Sequence, residues 1–307
     1  MSNILEVKKV LKRYGDFVAL NEVSLTVPKG SIYGLLGPNG AGKTSLIRII
    51  NQITMPDSGE IIFDGEKLNP KHVQYIGYLP EERGLYKTMK VGEQCLYLAQ
   101  MKGLSKAEAK KQLDYWFDRF EIQGWWNKKI QELSKGMAQK VQFVVCVLHK
   151  PKLLIFDEPF SGFDPINASL IKDEIPELRK QGSTIIFSTH RMESVEELCD
   201  DIALIHESNK LIEGKLDDVK RQYRTNSFEV GIISDNVEGL MYDITQKFKV
   251  TQTNFKSLND ELKLEIKLGN ASPNELLNTL TQRGQVTHFV EKIPSVNDIF
   301  IQTVTQK

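Results

Sequence analysis

The segment GPNGAGKT at residues 37–44 has the residue types and spacing of a phosphate-binding loop. It fits the pattern G-x-x-x-x-G-K-[ST] and lies between a short apolar run, SIYGLLG, and an amphipathic one, SLIRIINQI. Glycines let backbone N–H groups turn around a phosphate, and the next helix offers its positive end. The alternative is a glycine-rich turn with a solvated lysine, which the strand–loop–helix context disfavours. The residues expected at this site are Gly37, Pro38, Asn39, Gly40, Ala41, Gly42, Lys43, Thr44 and Ser45.

Particular roles follow from the chemistry of the side chains. Lys43 is expected to reach the β- and γ-phosphates, and Thr44 is expected to bind Mg²⁺. Farther along, LLIFDEP at residues 153–159 places two carboxylates at the end of a predicted strand. Asp157 suits the Mg²⁺ shell, directly or through water, and Glu158 suits a base that polarises an attacking water. An acidic turn after a core strand is the alternative, and the upstream GPNGAGKT disfavours it.

Bulk composition excludes several classes of protein. The 307 residues are 40% hydrophobic and 26% charged, with Lys+Arg and Asp+Glu equal at 40 each, so no nucleic-acid partner is expected. The three cysteines are far apart and show no zinc spacing. The longest apolar run, Phe143–Leu148, is far shorter than the roughly 20 residues of a membrane span. Any membrane role therefore needs a partner.

Periodicity predicts the elements that position these groups. Residues 4–11 and 20–27 are predicted strands, and residues 91–120 are predicted to be helical, with Ser105 and Glu108 as a capping box. A further helix is predicted over residues 137–151. Because strands then alternate with helices, we expect an α/β fold with a largely parallel core.

The pattern changes near Arg224. Beyond it, a β-α-β-β-α-β order resembles a ferredoxin-like module, followed by a closing helix near residues 294–303. From Thr225 onward there are 8 Lys/Arg and 10 Asp/Glu, which gives no electrostatic case for nucleic-acid binding. No motif in this part carries chemistry.

The order GPNGAGKT, LSKGM, LLIFDEP, SGFDP and STH resembles the ATP-binding subunit of ABC transporters, from residue 4 to about 215. The resemblance implies a P-loop NTPase cassette with an antiparallel β subdomain and a helical subdomain at about 85–150. We expect an ABC ATP-binding domain over residues 1–224 and a small α+β accessory domain over 225–307. ATP and Mg²⁺ are the implied cofactors.

The same resemblance assigns further roles. Tyr14 matches an aromatic residue that stacks on adenine, with packing on the sheet as its alternative. His190, in FSTH, matches a histidine that contacts the γ-phosphate and orients the water. Ser161 and Asp164, in SGFDP, match a loop that links two sites across a dimer, and Asp164 could also cap the following helix.

The motif LSKGM at residues 133–137 matches the family signature, in which Ser134 and Gly136 bind the γ-phosphate held by the opposite subunit. Ser134 could equally be an ordinary helix N-cap, and both roles can hold together. Lys135 and Met137 depart from the Gly and Gln that are usual in the family. Glu81, in LPEERGLY, stands where Gln is usual; we expect it to sense Mg²⁺ through water.

These expectations define a function. By resemblance, the chain should hydrolyse ATP as a dimer of two identical copies and drive export through separate membrane permease subunits. It should do so in the cytoplasm, at the inner face of the cell membrane. Sodium ions or drugs are the cargo classes suggested, because LPEERGLY with LSKGM resembles exporters that include a sodium-extrusion type. The permease would contact Leu85, Tyr86 and Met89, unless that segment is merely a packed loop.

Two other functions fit the sequence less well. A soluble ABC-type ATPase acting on ribosomes or DNA usually has two cassettes or a long inserted coiled coil, and neither pattern is present here. A degenerate module that holds ATP without turnover is disfavoured by Lys43, Asp157, Glu158 and His190.

Overall fold

The computed structural model describes residues 2–82, 84–160, 165–255 and 261–305, with the side chains of 165 and 166 excepted. The chain divides into two compact units, one extending to Leu216 and the other spanning Asp217–Thr305. The division falls at the start of a helix, Leu216–Gln222, whereas the composition change at residue 224 follows that helix.

The first sheet of the larger unit is antiparallel, with strand order β2-β1-β4-β5. Alternation places Val23, Leu25 and Val27 in the core, as the sequence pattern predicts. Leu20 is out of step with them and is also buried, because the strand is irregular at Glu22, whose φ is 50°. The four strands are β1 (Asn3–Tyr14), β2 (Phe17–Pro28), β4 (Ser58–Phe63) and β5 (Glu66–Lys67).

The second sheet has the order β10-β9-β3-β8-β7-β6, and its neighbours from β9 to β6 are all parallel. This confirms the largely parallel core. Its inner strands are buried on both faces and therefore have nearly continuous apolar sequences. The strands are β3 (Ile32–Leu36), β6 (Ile76–Leu79), β7 (Leu153–Asp157), β8 (Thr184–Thr189), β9 (Asp201–His206) and β10 (Asn209–Lys215).

Helices connect these strands and form the helical subdomain. Ser105 and Glu108 make the predicted capping box, and the α4 helix begins two residues before its predicted start because Ser134 caps it. Trp116, Phe120 and Phe143 pack as an aromatic cluster within this subdomain. The helices are α1 (Lys43–Ile50), α2 (Val91–Met101), α3 (Lys106–Arg119), α4 (Lys135–Val147), α5 (Pro165–Lys180) and α6 (Met192–Leu198).

The smaller unit has the predicted β-α-β-β-α-β order, with an antiparallel sheet ordered β12-β13-β11-β14. This is the ferredoxin-like arrangement, and it has a hydrophobic core of its own. Its elements are α7 (Leu216–Gln222), β11 (Ser227–Ile233), α8 (Val237–Lys247), β12 (Lys249–Gln252), β13 (Leu262–Lys267), α9 (Pro273–Thr281), β14 (Gln285–Glu291) and α10 (Val296–Thr305).

None of the helices in the described ranges has both the length and the apolar character needed to cross a membrane.

Candidate functional site

The loop between β3 and α1 requires glycine at two positions. Gly37 and Gly42 have φ angles of 147° and 110°, which other residues rarely adopt. A Cβ atom at Gly37 would lie 2.0 Å from the Ile205 carbonyl oxygen, and one at Gly42 would lie 2.2 Å from that of Ala19. The glycines therefore allow the loop to lie directly against its neighbours and to leave a cradle open above it.

The loop and the first turn of α1 form one wall of an open cavity. Gly42 caps α1 in a left-handed conformation and supplies no side chain to the free N–H groups of the first turn. Such N–H groups attract anions, and the helix dipole adds to the effect. The loop residues that line the cavity are Asn39, Gly40, Gly42, Lys43, Thr44 and Ser45.

Pro38 and Ala41 shape the loop from behind. The Pro38 carbonyl accepts a hydrogen bond from the Ala41 N–H at 3.2 Å, and Ala41 is buried. Neither residue lines the cavity, so their contribution is to the backbone conformation of the loop.

Lys43 folds back over this loop. Its Nζ donates to the carbonyl oxygens of Gly37 and Pro38 at 2.7 and 3.1 Å, and the side chain is largely buried. Burial lowers the pKa of Lys43, and the charges of Glu158, Asp157 and Glu81 offset part of that fall. The ammonium group is thus held among acceptors and can be redirected to an anionic ligand in the cavity.

Asp157 and Thr44 meet at the end of β7. The Thr44 hydroxyl donates to Asp157 Oδ2 at 3.3 Å, whereas Oδ1 is buried without a hydrogen bond of good geometry. Burial raises the pKa of Asp157, and the nearby Ser188 and Thr44 hydroxyls lower it in part. This buried carboxylate oxygen, which accepts no good hydrogen bond, and the neighbouring hydroxyl are hard oxygen ligands of the kind that suits Mg²⁺.

Glu158 occupies the next position and has a left-handed backbone, with φ of 49°. Its N–H donates to the Ser188 carbonyl at 2.9 Å, which joins this turn to β8. Its Oε1 accepts the His190 N–H at 2.9 Å and lies 2.7 Å from His190 Nδ1, while Oε2 accepts the Thr189 hydroxyl at 3.2 Å. The carboxylate is therefore buried and oriented, yet it still lines the cavity.

Glu81 lines the same cavity from the segment that follows β6. The structure thus brings together Glu81, Lys43, Asp157 and Glu158, which come from three separate parts of the sequence. A lysine, a hydroxyl and a helix N-terminus that share a cavity with three carboxylates can bind a polyphosphate with its metal and activate a water beside it.

Comparison with known proteins agrees with this geometry. Residues 20–161 match the family model described as ABC transporter, and residues 214–304 match that of the ATP-binding protein DrrA1-3-like, C-terminal domain. An uncharacterized ABC transporter ATP-binding protein of Bacillus subtilis (strain 168), YhaQ, is 40% identical over 306 residues, with 98% of each chain covered. This chain belongs to the ABC transporter ATP-binding proteins. It binds ATP and couples ATP hydrolysis to transport.

Two further relatives support the assignment. The linearmycin resistance ATP-binding protein LnrL of Bacillus subtilis (strain 168) is 32% identical and covers 93% of this chain and 91% of its own. A solved ATP-binding subunit of an ABC transporter superimposes with a TM-score of 0.67 at 34% identity, covering 72% of this chain and 93% of the other.

Other predicted site residues of this ABC ATP-binding protein lie outside the cavity wall. Ser134 caps α4 by accepting the Met137 N–H at 3.3 Å, which confirms its local role, and it is exposed. Gly136 lies in the first turn of the same helix. Neither residue lines the cavity of its own chain. Ser161 and Asp164 fall outside the described residues.

Tyr14 lies at the β1–β2 hairpin, directly opposite Phe17. Its ring is 45% exposed, with Lys12 Nζ 5.4 Å from the ring centroid. Phe17 is more exposed and lines the cavity, although sequence reasoning did not single it out. Its signal was its position across a tight turn from Tyr14.

Gln142 is a second residue that sequence reasoning missed. Its amide donates to the carbonyl oxygens of Pro80 and Glu82, on either side of Glu81. A buried glutamine in an otherwise apolar helix face was the available signal.

Proposed function

We propose that two copies of this ABC ATP-binding protein close around two ATP molecules and thereby drive export through separate membrane permease subunits. The observation that carries the proposal is the oriented carboxylate of Glu158, which shares a cavity with Lys43 and Asp157. Proteins of this family work as dimers and with permease partners. The exposed cap of α4 at Ser134 is available to a second chain.

Within one chain, different residues have different roles in ATP hydrolysis. The loop N–H groups and Lys43 bind the phosphates, and Lys43 exchanges its loop carbonyls for phosphate oxygens. Glu158 polarises the attacking water, while His190 and Thr189 hold the carboxylate in position. His190 Nδ1 is occupied by Glu158, so Nε2 is the ring nitrogen left for the γ-phosphate.

Mg²⁺ fits the donors present, because Thr44 and Asp157 offer a hydroxyl and a buried carboxylate oxygen that lacks a good hydrogen bond. When bound, it would neutralise charge on the phosphates. Glu81, which lines the same cavity, would act on this ion through water.

The second copy would complete each site. Ser134 and Gly136 of one chain would meet the γ-phosphate held by the other, with the free N–H groups of the α4 N-terminus directed at it. Lys135, exposed in this first turn, would add a positive charge near that phosphate. Tyr14 would stack on adenine, with Phe17 nearby.

The proposals that the chain serves export, and for which cargo, are based on the names of its relatives. The name of LnrL refers to linearmycin resistance, and the C-terminal family model is DrrA1-3-like. We infer that this chain serves the removal of drug-like molecules; sodium remains the other cargo class. The protein would act on the inner face of the cell membrane, and no nucleic-acid partner is part of the proposal.

The permease would dock near Tyr86. That ring is 55% exposed, and Tyr97 and Met101 on α2 are also exposed, one helical turn apart. Exposed aromatic and methionine side chains on neighbouring segments suit an apolar helix from a partner. Leu85 and Met89 would extend this contact.

The composite site can be tested by mixing two inactive variants. A dimer of one Ser134→Arg chain and one Lys43→Ala chain contains one intact site, formed by Lys43 of the first and Ser134 of the second. We expect ATPase activity in purified mixed dimers, well above that of either variant alone.

The matched control is a mixed dimer of Ser134→Arg with the double variant Ser134→Arg/Lys43→Ala, which has no intact site. Activity of the test dimer that does not exceed this control would contradict a site completed by the second chain. Co-purification of the chain with its membrane protein, followed by transport assays on the pair, tests export separately.

A further inference from the structure

Gln142 holds the backbone on both sides of Glu81. Its Nε2 lies 3.4 Å from the Pro80 carbonyl oxygen and 3.2 Å from that of Glu82, and it donates to both. The amide nitrogen has two hydrogens, one for each carbonyl. The side chain is buried, with only 7% of the residue exposed. Glu81 therefore cannot move far relative to α4 without breaking at least one of these bonds.

Glu81 is part of the ATP site rather than a distant loop residue. It lines the cavity with Lys43, Asp157 and Glu158, and its charge offsets a small part of the fall in the pKa of Lys43 that burial causes. A shift of Glu81 would change the charge that surrounds both the phosphate-binding lysine and the two other carboxylates. The hydrogen bonds from Gln142 therefore help to fix how charge is arranged in the site.

The helix that carries Gln142 has a close contact with the core near its other end. The Cys146 carbonyl oxygen lies so near Gly77 on β6 that a Cβ atom there would be 2.4 Å from it. This contact joins α4 to the strand that leads directly into Pro80. Ala138, Val141 and Val144 are buried along the same uninterrupted helix, which runs from Lys135 to Val147.

If α4 tilted about the contact at Cys146, each residue would be displaced in proportion to its distance from that contact. At 1.5 Å of rise per residue, Gln142 lies about 6 Å from the contact at Cys146, and Ser134 lies about 18 Å from it. A tilt about Cys146 would move Ser134 roughly three times as far as Gln142. If Ser134 moved toward or away from a phosphate, the hydrogen bonds of Gln142 would therefore displace Pro80 and Glu82 by a smaller distance.

We propose that Gln142 is a positioning residue that couples Glu81 in one ATP site to the engagement of Ser134 at the other site. This inference rests on the proposed function, since it needs the second site to be formed in part by Ser134. It predicts that the Mg²⁺ response of each site depends on whether the opposite site holds ATP.

The test is the substitution Gln142→Met, which keeps the length of the side chain and removes both donors. ATPase rates are measured against Mg²⁺ and against ATP. We expect the Mg²⁺ concentration for half-maximal rate to change by roughly three- to tenfold, as the loss of one or two hydrogen bonds implies, and the Hill coefficient for ATP to fall toward one. Glu81→Gln should shift the same Mg²⁺ curve, because it removes the carboxylate that Gln142 positions.

The matched control is Gln112→Met on α3, which makes the same change on a partly buried helix position with no bond to the Glu81 segment, and it should leave both curves unchanged. Gln142→Leu, which is close to glutamine in size, adds no charge and removes both donors, repeats the test if Gln142→Met does not fold.

Two outcomes would overturn the inference. If Gln142→Met lowers only the melting temperature and keeps the wild-type Mg²⁺ curve and Hill coefficient, the residue is merely structural and this inference alone fails. If the wild-type chain forms no ATP-dependent dimer, the proposed function fails and this inference fails with it.

Discussion

Glu158 shows how one residue becomes a candidate base. Its left-handed backbone costs on the order of 1–3 kcal/mol, and the surrounding hydrogen bonds keep it in place. That conformation turns the carboxylate back toward Thr189 and the His190 N–H, so both oxygens have defined partners. A group that must accept a proton from water benefits from such a fixed orientation.

We expect Glu158→Gln to bind ATP normally and to hydrolyse it about 10²–10⁴ times more slowly, because an amide cannot act as a general base. The variant should also accumulate as an ATP-bound dimer, since hydrolysis no longer releases it. Phosphate release, nucleotide binding and size-exclusion chromatography measure the three effects. Glu238→Gln, an exposed change of the same kind on α8, is the control, and wild-type turnover in Glu158→Gln would remove Glu158 from the mechanism.

At the scale of elements, α4 connects three features of the larger unit. Its first turn presents Ser134, its middle holds the Glu81 segment through Gln142, and Phe143 joins the aromatic cluster of the helical subdomain to Phe156 on β7. Just beyond its end, His149 is half-buried, with both ring nitrogens buried, and lies near Lys102, whose Nζ donates to the carbonyls of Val73 and Ile76.

His149, just beyond the end of α4, should make the free energy of unfolding depend on pH. Burial, followed by the charge of Lys102, lowers the pKa of His149 to about 4, and the nearby Ile76 backbone offsets part of this. Between the unfolded value near 6.5 and about 4, the unfolded chain binds a proton that the folded chain does not, so stability falls as pH falls through this range.

We expect His149→Gln to reduce this loss of stability at low pH, by up to about 3 kcal/mol at the acid end of the range. Urea unfolding at about pH 7 and about pH 5, for the wild type and the variant, measures the difference. An identical dependence on pH in both proteins would show that His149 does not contribute.

At the scale of the whole molecule, the chain consists of two units with separate cores. The smaller unit buries Leu240, Ile244, Leu276 and Leu280 between its helices and its sheet. A unit of this size with an antiparallel sheet and its own core has what independent folding needs. We propose that it is an accessory domain, as the composition change near Arg224 predicts.

A fragment covering Asp217–Thr305 should therefore unfold in one cooperative transition. Leu276→Ala removes a fully buried side chain and should destabilise the fragment by about 2–5 kcal/mol. Tyr242→Ala, at a position that is 67% exposed, is the control and should change its stability little. Urea unfolding followed by circular dichroism measures both, and a fragment without a cooperative transition would contradict an independent domain.

The sequence alone determined the features that depend on local chemistry. The glycine spacing of GPNGAGKT, the alternation in β2, the caps at Ser105 and Ser134 and the ferredoxin-like order are all set by neighbours within a few residues, so each leaves a readable pattern. The family signature motifs carried the rest of the assignment.

Only the tertiary structure decided which distant residues meet. Thr44 and Asp157 are 113 residues apart, and Gln142 lies 62 residues from the Pro80 carbonyl that it holds. Phe17 reaches the cavity because the β1–β2 hairpin lies beside the phosphate loop, as the contact of Gly42 with Ala19 shows. Such contacts depend on how strands are ordered and helices are packed, and no periodic pattern in the sequence records them.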